Sequence, residues 1–192
     1  IGQQIIMSFR PEPPLSSVFS PEEMKELPEG EQLSMKVAEE FGGFYNPDAW
    51  DGYQPARRRV YDLFKKHASN PIVLTGDTHC GWAMSLTDKM GGEHYGAEFA
   101  VPGITSPGRG ERIPKVEQVE QAYYDFLDHL AYANIKQRGY LTVTISQEEA
   151  IADWYVLSDI ESKQFDLIRK KSLKYKWGDV SDGKVVLEDI TT

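Results

Sequence analysis

Three residues whose side chains can do chemistry stand close together in the first half of the chain: Asp77, His79 and Cys80. A carboxylate with an imidazole suits borderline metals such as zinc and iron, whereas a carboxylate alone suits calcium or magnesium. Asp77 and His79 can converge on one ion from either a strand or a turn. A catalytic metal takes about three protein ligands, so the others must come from elsewhere in the fold or another chain. A turn-capping aspartate beside a histidine bound to backbone explains the spacing equally well.

Cys80 suggests a different chemistry, in which a neighbouring imidazole activates a thiolate nucleophile. Adjacent residues on an extended backbone point to opposite sides, so His79 and Cys80 are poorly placed to pair with each other. We therefore expect Cys80 to be a small buried residue, and a thiol hydrolase stays open as an alternative. A single cysteine also excludes an internal disulfide framework.

Other side chains are candidates for binding a phosphate, because a guanidinium can contact one through two hydrogen bonds. The four arginines considered are Arg57, Arg58, Arg59 and Arg109. A solvated helix face explains the first three more simply. We expect His94, on a predicted turn, and His129, on a predicted acidic helix, to be surface histidines.

A loop rich in aromatic and acidic residues precedes the helix that carries these arginines. Its members are Phe44, Tyr45, Asp48, Trp50, Asp51 and Tyr53. Such loops often line a pocket, although amphipathic aromatic residues also close the edge of an ordinary core.

The elements that must position Asp77 and His79 follow from the apolar pattern. The run Ile72–Leu74 behind an Asn-Pro break predicts a short buried strand, at whose carboxyl end open α/β sheets bind ligands. An amphipathic helix over 57–67 precedes it and an alternating strand over 95–101 follows. This order predicts an α/β fold with a parallel sheet.

The rest of the chain divides into further elements. Before the central strand we predict a strand over 1–9 that lies beside it, and a surface excursion over 10–43 with a short helix after Pro21. After it we predict a loop over 102–110, a helix over 116–130, a hairpin of 140–145 and 150–157, a charged helix over 161–176, and a turn over 181–184 before the apolar run 185–187. We interpret residues 1–157 as the main part of one domain and 158–192 as its helical extension.

The totals of the whole chain narrow the classes of function. With 192 residues, the chain is long enough for one domain with a sizeable core. A net charge of -9 argues against a nucleic-acid-binding module, since affinity for a phosphate backbone comes mainly from Lys and Arg. No apolar run approaches the roughly 20 residues of a membrane span. The chain opens directly on a strand-like segment at Ile1, so we expect it to begin inside a domain.

Short motifs recur along the chain in a characteristic order. They are Ile-Gly-Gln-Gln at 1–4, Trp-Asp-Gly-Tyr at 50–53 with Pro-Ala-Arg at 55–57, Leu-Thr-Gly-Asp-Thr-His at 74–79 with Trp-Ala at 82–83, Ala-Glu-Phe at 97–99, Ile-Thr-Ser at 104–106, Arg-Gly-Tyr at 138–140 and Ala-Asp-Trp-Tyr at 152–155. In this order they resemble the carboxyl-terminal part of the alkaline phosphatase D (PhoD-type) metallophosphatases.

The resemblance implies a calcineurin-like α/β metallophosphatase sandwich, of which this chain would be the C-terminal portion with mixed sheets flanked by helices. It implies a site with iron and calcium, with zinc or manganese also possible, and hydrolysis of phosphomonoesters and phosphodiesters by a metal-bound hydroxide. Metal ligation and catalysis carry over onto Asp77 and His79. The residues that it places on the substrate side are Trp50, Asp51, Tyr53 and Arg57.

The chain also departs from that family. The family's earlier metal-binding segments lie upstream of the Ile-Gly-Gln-Gln motif, and Cys80 follows the motif histidine, so it cannot replace the upstream cysteine. We therefore expect the second part of a larger periplasmic or secreted enzyme, which needs the upstream part of the same protein. The alternative is a non-catalytic domain that keeps the fold and binds a partner or a phosphorylated ligand.

Overall fold

The structure is a computed structural model that describes residues 1–40, 46–181 and 184–192. Within these ranges, the helices are α1 (Pro21–Glu26), α2 (Glu29–Glu40), α3 (Gln54–His67) and α4 (Val116–Phe126). The strands are β1 (Ile72–Thr75), β2 (Gly81–Thr87), β3 (His94–Ala100), β4 (Leu130–Asn134), β5 (Gly139–Ile145), β6 (Glu149–Leu157), β7 (Leu167–Lys176), β8 (Val180–Ser181), β9 (Lys184–Val185) and β10 (Glu188–Asp189).

The strands form two four-stranded sheets and a small ribbon. The first sheet has the order β1-β3-β2-β4, in which β1 and β3 are parallel and the other neighbours are antiparallel. The second sheet, β10-β7-β6-β5, is antiparallel throughout, and β8 pairs with β9 in the ribbon. Because β1 and β3 run in the same direction, their carboxyl ends meet at one edge of the first sheet.

The first sheet lies between helices and the second sheet. On one face, Trp82 and Met84 share an apolar cluster with residues of α4, including Tyr123. On the other face, Phe99 packs edge-on against Trp154 of β6, with ring centroids 5.8 Å apart. Both faces of the central strands are therefore buried, as the apolar runs predict.

Local sequence explains the start of helix α1 and the buried face of helix α3. At α1, the Ser20 side chain accepts from the Glu23 amide while the Glu23 side chain accepts from the Ser20 amide, a capping box that satisfies two free donors. In α3, the buried side chains of Arg57, Tyr61 and Phe64 are four and three residues apart, so they share one face. These helices confirm the predicted helix after Pro21 and the predicted amphipathic helix over 57–67.

The N-terminal segment lies beside β1, as predicted, but it is extended chain rather than a regular strand. Gly2 forms one isolated parallel bridge with Leu74, and the Gly76 amide donates to the Gln4 carbonyl at 2.9 Å. Further along, the Met7 and Ser8 amides donate to the two oxygens of Glu98 at 2.7 and 2.8 Å. The Glu98 side chain of β3 therefore accepts the backbone hydrogen bonds that the carbonyls of a neighbouring strand would otherwise accept.

The predicted strands over 72–74 and 95–101 and the predicted hairpin are confirmed. The parallel sheet predicted from the order of elements holds only for β1 and β3, because the unpredicted strands β2 and β4 are antiparallel to their neighbours. The first sheet is therefore mixed, as the family resemblance implies. The helix predicted over 116–130 ends at Phe126, where Leu127 turns to an extended conformation and leads into β4. The predicted turn at 181–184 contains Asp182 and Gly183, which lie outside the described residues.

The helix predicted over 161–176 is also wrong, because this segment contains strand β7. Along the strand, Leu173 and Tyr175 are buried in the core between the sheets, and β7 pairs with β6 from Leu157 to Glu149. Burial of these alternate side chains and the ladder to β6 outweigh the helix preference of the Lys and Arg residues. The segment after 157 is therefore not a helical extension, and the domain boundary there stays a prediction.

In the described part of the chain, no helix combines the length and the apolar character that crossing a membrane requires.

Glu98 makes folding stability depend on pH. Burial raises the pKa of its carboxyl from 4.5 to about 7, against the opposing effect of the Met7 and Ser8 amides. Because this pKa is raised on folding, the stability it contributes is complete below pH 4.5 and is lost as the pH rises through about 7. We expect the unfolding free energy of the wild type, measured relative to Glu98→Gln by urea denaturation, to fall by roughly 1–3 kcal/mol over that interval. A difference that stays constant or grows with pH would contradict the assignment.

Candidate functional site

The candidate site is built on the turn between β1 and β2, at the carboxyl end of β1. Asp77 and His79 both have left-handed backbone conformations, with φ of 65° and 56°. Residues other than glycine adopt this region at a cost of about 1–3 kcal/mol each and mainly where the surroundings hold them. Here the Thr78 amide donates to the Gly76 carbonyl at 2.7 Å, and the Thr78 hydroxyl accepts from Trp82 Nε1 at 3.0 Å. The first bond closes the turn on itself, and the second ties it to β2.

The His79 ring is oriented by a hydrogen bond to the loop after β3. Its Nδ1 lies 2.8 Å from the Pro107 carbonyl oxygen. A carbonyl oxygen can only accept, so Nδ1 carries the proton and Nε2 of the neutral ring keeps its lone pair. Histidine ligands of metals commonly donate from the other ring nitrogen to a carbonyl or carboxylate in this way. His79 therefore has the tautomer that a ligand acting through Nε2 requires.

The Asp77 carboxylate is exposed beside the N-terminal segment. Gln4 Nε2 donates to Asp77 Oδ1 across 3.4 Å, which is a long contact. Trp50 Nε1 in turn donates to Oε1 of the neighbouring Gln3 at 2.9 Å. The Ile-Gly-Gln-Gln motif thus links the turn to the loop of Trp50.

Asp77 and His79 line one cleft of about 240 Å³. Its wall also includes side chains from the N-terminal segment, the loop after β3 and α4, among them Arg10, Glu12, Arg109, Arg112 and Tyr123. The structure therefore places in one cleft the two residues that were predicted to act together. It also surrounds them with charged residues, of which only Arg109 was a candidate from the sequence.

A buried ion network forms this wall. Arg109 Nη1 donates to Glu12 Oε2 at 2.6 Å and to the Tyr123 hydroxyl at 2.7 Å, while Arg109 Nε donates to Glu31 of α2 at 3.1 Å. Tyr123 donates a short hydrogen bond to Glu12. Burial alone would raise the pKa of Glu12, but Arg109 and Arg10 hold it below its ordinary value. Glu12 therefore stays ionised in the interior.

Arginines outnumber carboxylates in this network. Arg10 lies over the Trp82 ring, with its guanidinium carbon 4.8 Å from the ring centroid, and Arg112 contacts Glu31 at 3.4 Å. Ion pairs link these three arginines, Arg10, Arg109 and Arg112, to two carboxylates, Glu12 and Glu31. The Arg112 side chain is 52% exposed, so it can reach an anion in the cleft.

Two residues predicted for the substrate side form a buried pair away from the described cleft wall. The Arg57 guanidinium is fully buried and forms an ion pair with Asp51. It also donates to the Met7 carbonyl at 3.2 Å and the Asp88 carbonyl at 3.1 Å. Asp51 accepts from the Arg10 amide at 3.2 Å. The pair thus braces the N-terminal segment, and its assignment to substrate stays a prediction without a geometric argument.

The rest of the aromatic loop is only partly described. Trp50 is half-buried, whereas Tyr53 is 55% exposed on the surface beside α3. Phe44 and Tyr45 lie outside the described residues. Neither Trp50 nor Tyr53 is among the described residues of the cleft wall.

The surface prediction is wrong for His129, whereas His94 is partly exposed but begins a strand instead of lying on a turn. His129 is buried in the turn before β4, where its Nε2 lies 2.7 Å from the Phe9 carbonyl. His94 is half-buried at the start of β3, and burial lowers its pKa to about 4. The two rings lie edge to face with their centroids 6.5 Å apart, a contact that the polar neighbours along the chain did not reveal.

Among the other candidates, Cys80 is buried as expected, and burial raises the pKa of its thiol. Arg58 and Arg59 are exposed on α3, and Arg58 contacts Asp88 at 3.4 Å. Of the four arginines considered for phosphate binding, only Arg109 lies in the cleft.

Arg10, Glu12 and Arg138 were not predicted from the sequence. Arg138 Nη1 donates to the His79 carbonyl at 3.0 Å, and its place in the Arg-Gly-Tyr motif was a usable signal. Arg10 and Glu12 lie in a proline-rich stretch that looks like surface loop, where nothing in the residue types announces burial.

Within residues 1–40, 46–181 and 184–192, no three His, Cys, Asp or Glu side chains are grouped closely enough to hold a metal ion. Within the described chain, Asp77 and His79 could therefore supply only part of the ligands of a metal ion. A carboxylate and a lone imidazole nitrogen at one cleft fit part of a metal site.

The chain is similar in sequence to one known alkaline phosphatase and in fold to a solved structure of PhoD. Alkaline phosphatase D of Bacillus subtilis (strain 168) is 31% identical to the chain over 137 residues, which cover 69% of this chain and 23% of that protein. A solved structure of PhoD matches 100% of this chain and 31% of its own, with a TM-score of 0.65 and 22% identity, a likeness that shows the fold alone. The chain thus spans about a quarter to a third of the length of these relatives.

The family model of the PhoD-like phosphatases matches residues 1–154, which include the whole turn of Asp77 and His79 and the loop after β3. The chain belongs to the PhoD-like phosphatase family.

Proposed function

We propose that this chain supplies the downstream part of the active site of a metal-dependent phosphoester hydrolase. The observation that carries the proposal is the hydrogen bond from His79 Nδ1 to the Pro107 carbonyl, which leaves Nε2 available in the cleft that Asp77 and three arginines also line. We ascribe the layered arrangement of sheets and helices to a calcineurin-like metallophosphatase sandwich. The substrates in this proposal are phosphomonoesters and phosphodiesters.

Asp77 and His79 would hold the metal. Their donor set suits iron, zinc or manganese, and a carboxylate also suits calcium, so we propose iron and calcium with zinc or manganese as alternatives. When bound, such ions supply Lewis-acid activation of water and of phosphoryl oxygens. The missing ligands would come from the upstream part of the same protein, which we propose is exported to the periplasm or the cell exterior.

The residues of this chain have separate tasks in the reaction. Hydrolysis forms a bond between a water oxygen and phosphorus, breaks the ester P–O bond, and moves a proton from water to the departing alkoxide. The Pro107 carbonyl keeps the proton on Nδ1, so His79 would hold the metal through Nε2 and would not take part in that proton transfer. Arg112, whose side chain is exposed at the cleft, would stabilise negative charge on the phosphoryl oxygens.

A second function, binding of a phosphorylated ligand without catalysis, is favoured by one observation. The described residues offer at most two metal ligands at this cleft, whereas three arginines line it and can contact an anion. Turnover and metal content separate the two functions, because a binding domain would retain phosphate binding without either.

Replacing the two ligands should abolish both metal binding and turnover. In the parent protein that carries this chain, we expect Asp77→Asn and His79→Ala each to lower bound metal and phosphodiesterase activity at least about 100-fold, because each removes a ligand of an already small set. Metal content is measured by inductively coupled plasma mass spectrometry, and turnover with a chromogenic phosphodiester.

The matched controls are Asp62→Asn and His67→Ala, which change the same residue types on the exposed face of α3. Both should keep full metal content and activity. If the variants at Asp77 and His79 behave like these controls, the metal assignment is wrong.

The buried thiol of Cys80 should be dispensable. Because burial raises its pKa, Cys80 is a protonated thiol at neutral pH and a poor nucleophile. We expect Cys80→Ala to keep activity within about twofold, and iodoacetamide to alkylate the folded protein far more slowly than the urea-unfolded one, as followed by mass spectrometry. Loss of turnover in a folded Cys80→Ala protein would instead favour the thiol hydrolase.

A further inference from the structure

Four residues form a closed circuit around the His79 side chain. His79 Nδ1 donates to the Pro107 carbonyl at 2.8 Å, and the Gly108 amide donates to Glu111 Oε2 at 2.6 Å. Glu111 Oε2 also pairs with Arg138 Nη2, and Arg138 Nη1 donates a hydrogen bond to the His79 carbonyl at 3.0 Å, which closes the circuit. The circuit therefore holds both ends of His79, its ring and its backbone.

The Pro107 carbonyl and the Gly108 amide belong to the same peptide group. Its oxygen accepts from His79 and its N–H donates to Glu111, so the plane of this peptide is fixed from both sides. Rotating it would break both hydrogen bonds. Donation of the N–H to a carboxylate also polarises the peptide and strengthens its oxygen as an acceptor. The bond that sets the His79 tautomer thus depends on the position of Glu111.

Arg138 in turn fixes Glu111. The Arg138 side chain is 1% exposed, whereas that of Glu111 is 40% exposed, so the rigid buried arginine orients the more accessible carboxylate. Gly108 permits this approach, because a Cβ there would lie 2.3 Å from Arg138 Nη2. Any larger residue at this position must displace the guanidinium.

We propose that Arg138, acting through Glu111 and the Pro107–Gly108 peptide, is a positioning residue that sets the tautomer and orientation of His79. The value of this for catalysis rests on the proposed function, in which His79 binds metal through Nε2. Arg138 itself lies behind the turn, where its contacts are the His79 and Gln137 carbonyls and Glu111. It therefore acts on the reaction only through His79.

The first readout is the protonation site of the His79 ring, since a merely structural role would not change it. In the metal-free protein, ¹⁵N-resolved imidazole NMR should show His79 protonated at Nδ1, with the resonance assigned by its absence in His79→Ala. A free imidazole side chain prefers the proton on Nε2. We expect Arg138→Gln and Glu111→Gln to shift His79 toward that form, and Arg138→Lys to restore the Nδ1–H form in part.

The second readout is metal affinity and turnover. We expect Arg138→Gln to lower metal affinity and kcat by 10–100-fold with KM changed less than about threefold, the usual size of an effect on an outer partner of a ligand. Arg58→Gln is the matched control, because this exposed arginine also pairs with a carboxylate, that of Asp88, but lies outside the cleft. It should change neither readout.

Gly108→Ala provides an independent variant if Arg138→Gln fails to fold. It leaves every charge in place but displaces the guanidinium, so it should reproduce the tautomer shift and the loss of kcat. An unchanged Nδ1–H signal in folded Glu111→Gln and Gly108→Ala would overturn the positioning role, whatever the metal content. Two results together would confirm the circuit but reject the proposed metal function. The tautomer would shift as expected in these variants, and His79→Ala would leave the metal content unchanged.

Discussion

The site depends on the hydrogen bond between the His79 ring and the Pro107 carbonyl. It joins two segments that leave the first sheet at the same edge, the turn after β1 and the loop after β3, because these two strands are parallel. His79 makes this bond from a left-handed backbone conformation, in a turn that Trp82 holds through the Thr78 hydroxyl and Arg138 holds through the His79 carbonyl. Sheet topology, turn conformation and tautomer are therefore linked.

The buried ion network connects this edge to the rest of the molecule. Through Arg109, the loop after β3 is tied to Glu12 of the N-terminal segment, to Glu31 of α2 and to Tyr123 of α4. Such networks add little net stability over apolar packing, but removing one partner costs about 3–5 kcal/mol because it leaves a buried charge. Its effect is to hold one arrangement of four segments around the cleft, with arginines on the side that faces Asp77 and His79.

The local sequence pattern was sufficient to predict the part of the site that lies on the single turn after β1. The apolar run before Thr75 and the polar residues after it predict β1 and place Asp77 and His79 at its carboxyl end, and the ordered motifs predict the family. The hairpin of β5 and β6 follows from alternation. The sequence did not reveal the role of Arg57, since a buried arginine and an exposed one look alike on an amphipathic helix until Asp51 is brought against it.

The errors share a physical cause, which is that long-range contacts override local preference. The Lys- and Arg-rich segment of β7 favours a helix by composition, but pairing with β6 and burial of Leu173 and Tyr175 make it a strand. His129 looks like a surface residue until the N-terminal segment brings the Phe9 carbonyl to its ring. Partners distant in sequence cannot be inferred from periodicity.

The most direct measurement of the central claim is a crystal structure of the parent protein with anomalous diffraction recorded at the metal absorption edges. Our account predicts a metal peak about 2.0–2.6 Å from an Asp77 carboxylate oxygen and from His79 Nε2. The Pro107 carbonyl should remain hydrogen-bonded to Nδ1. A metal bound elsewhere, or bound to Nδ1 with the Pro107 contact broken, would contradict it.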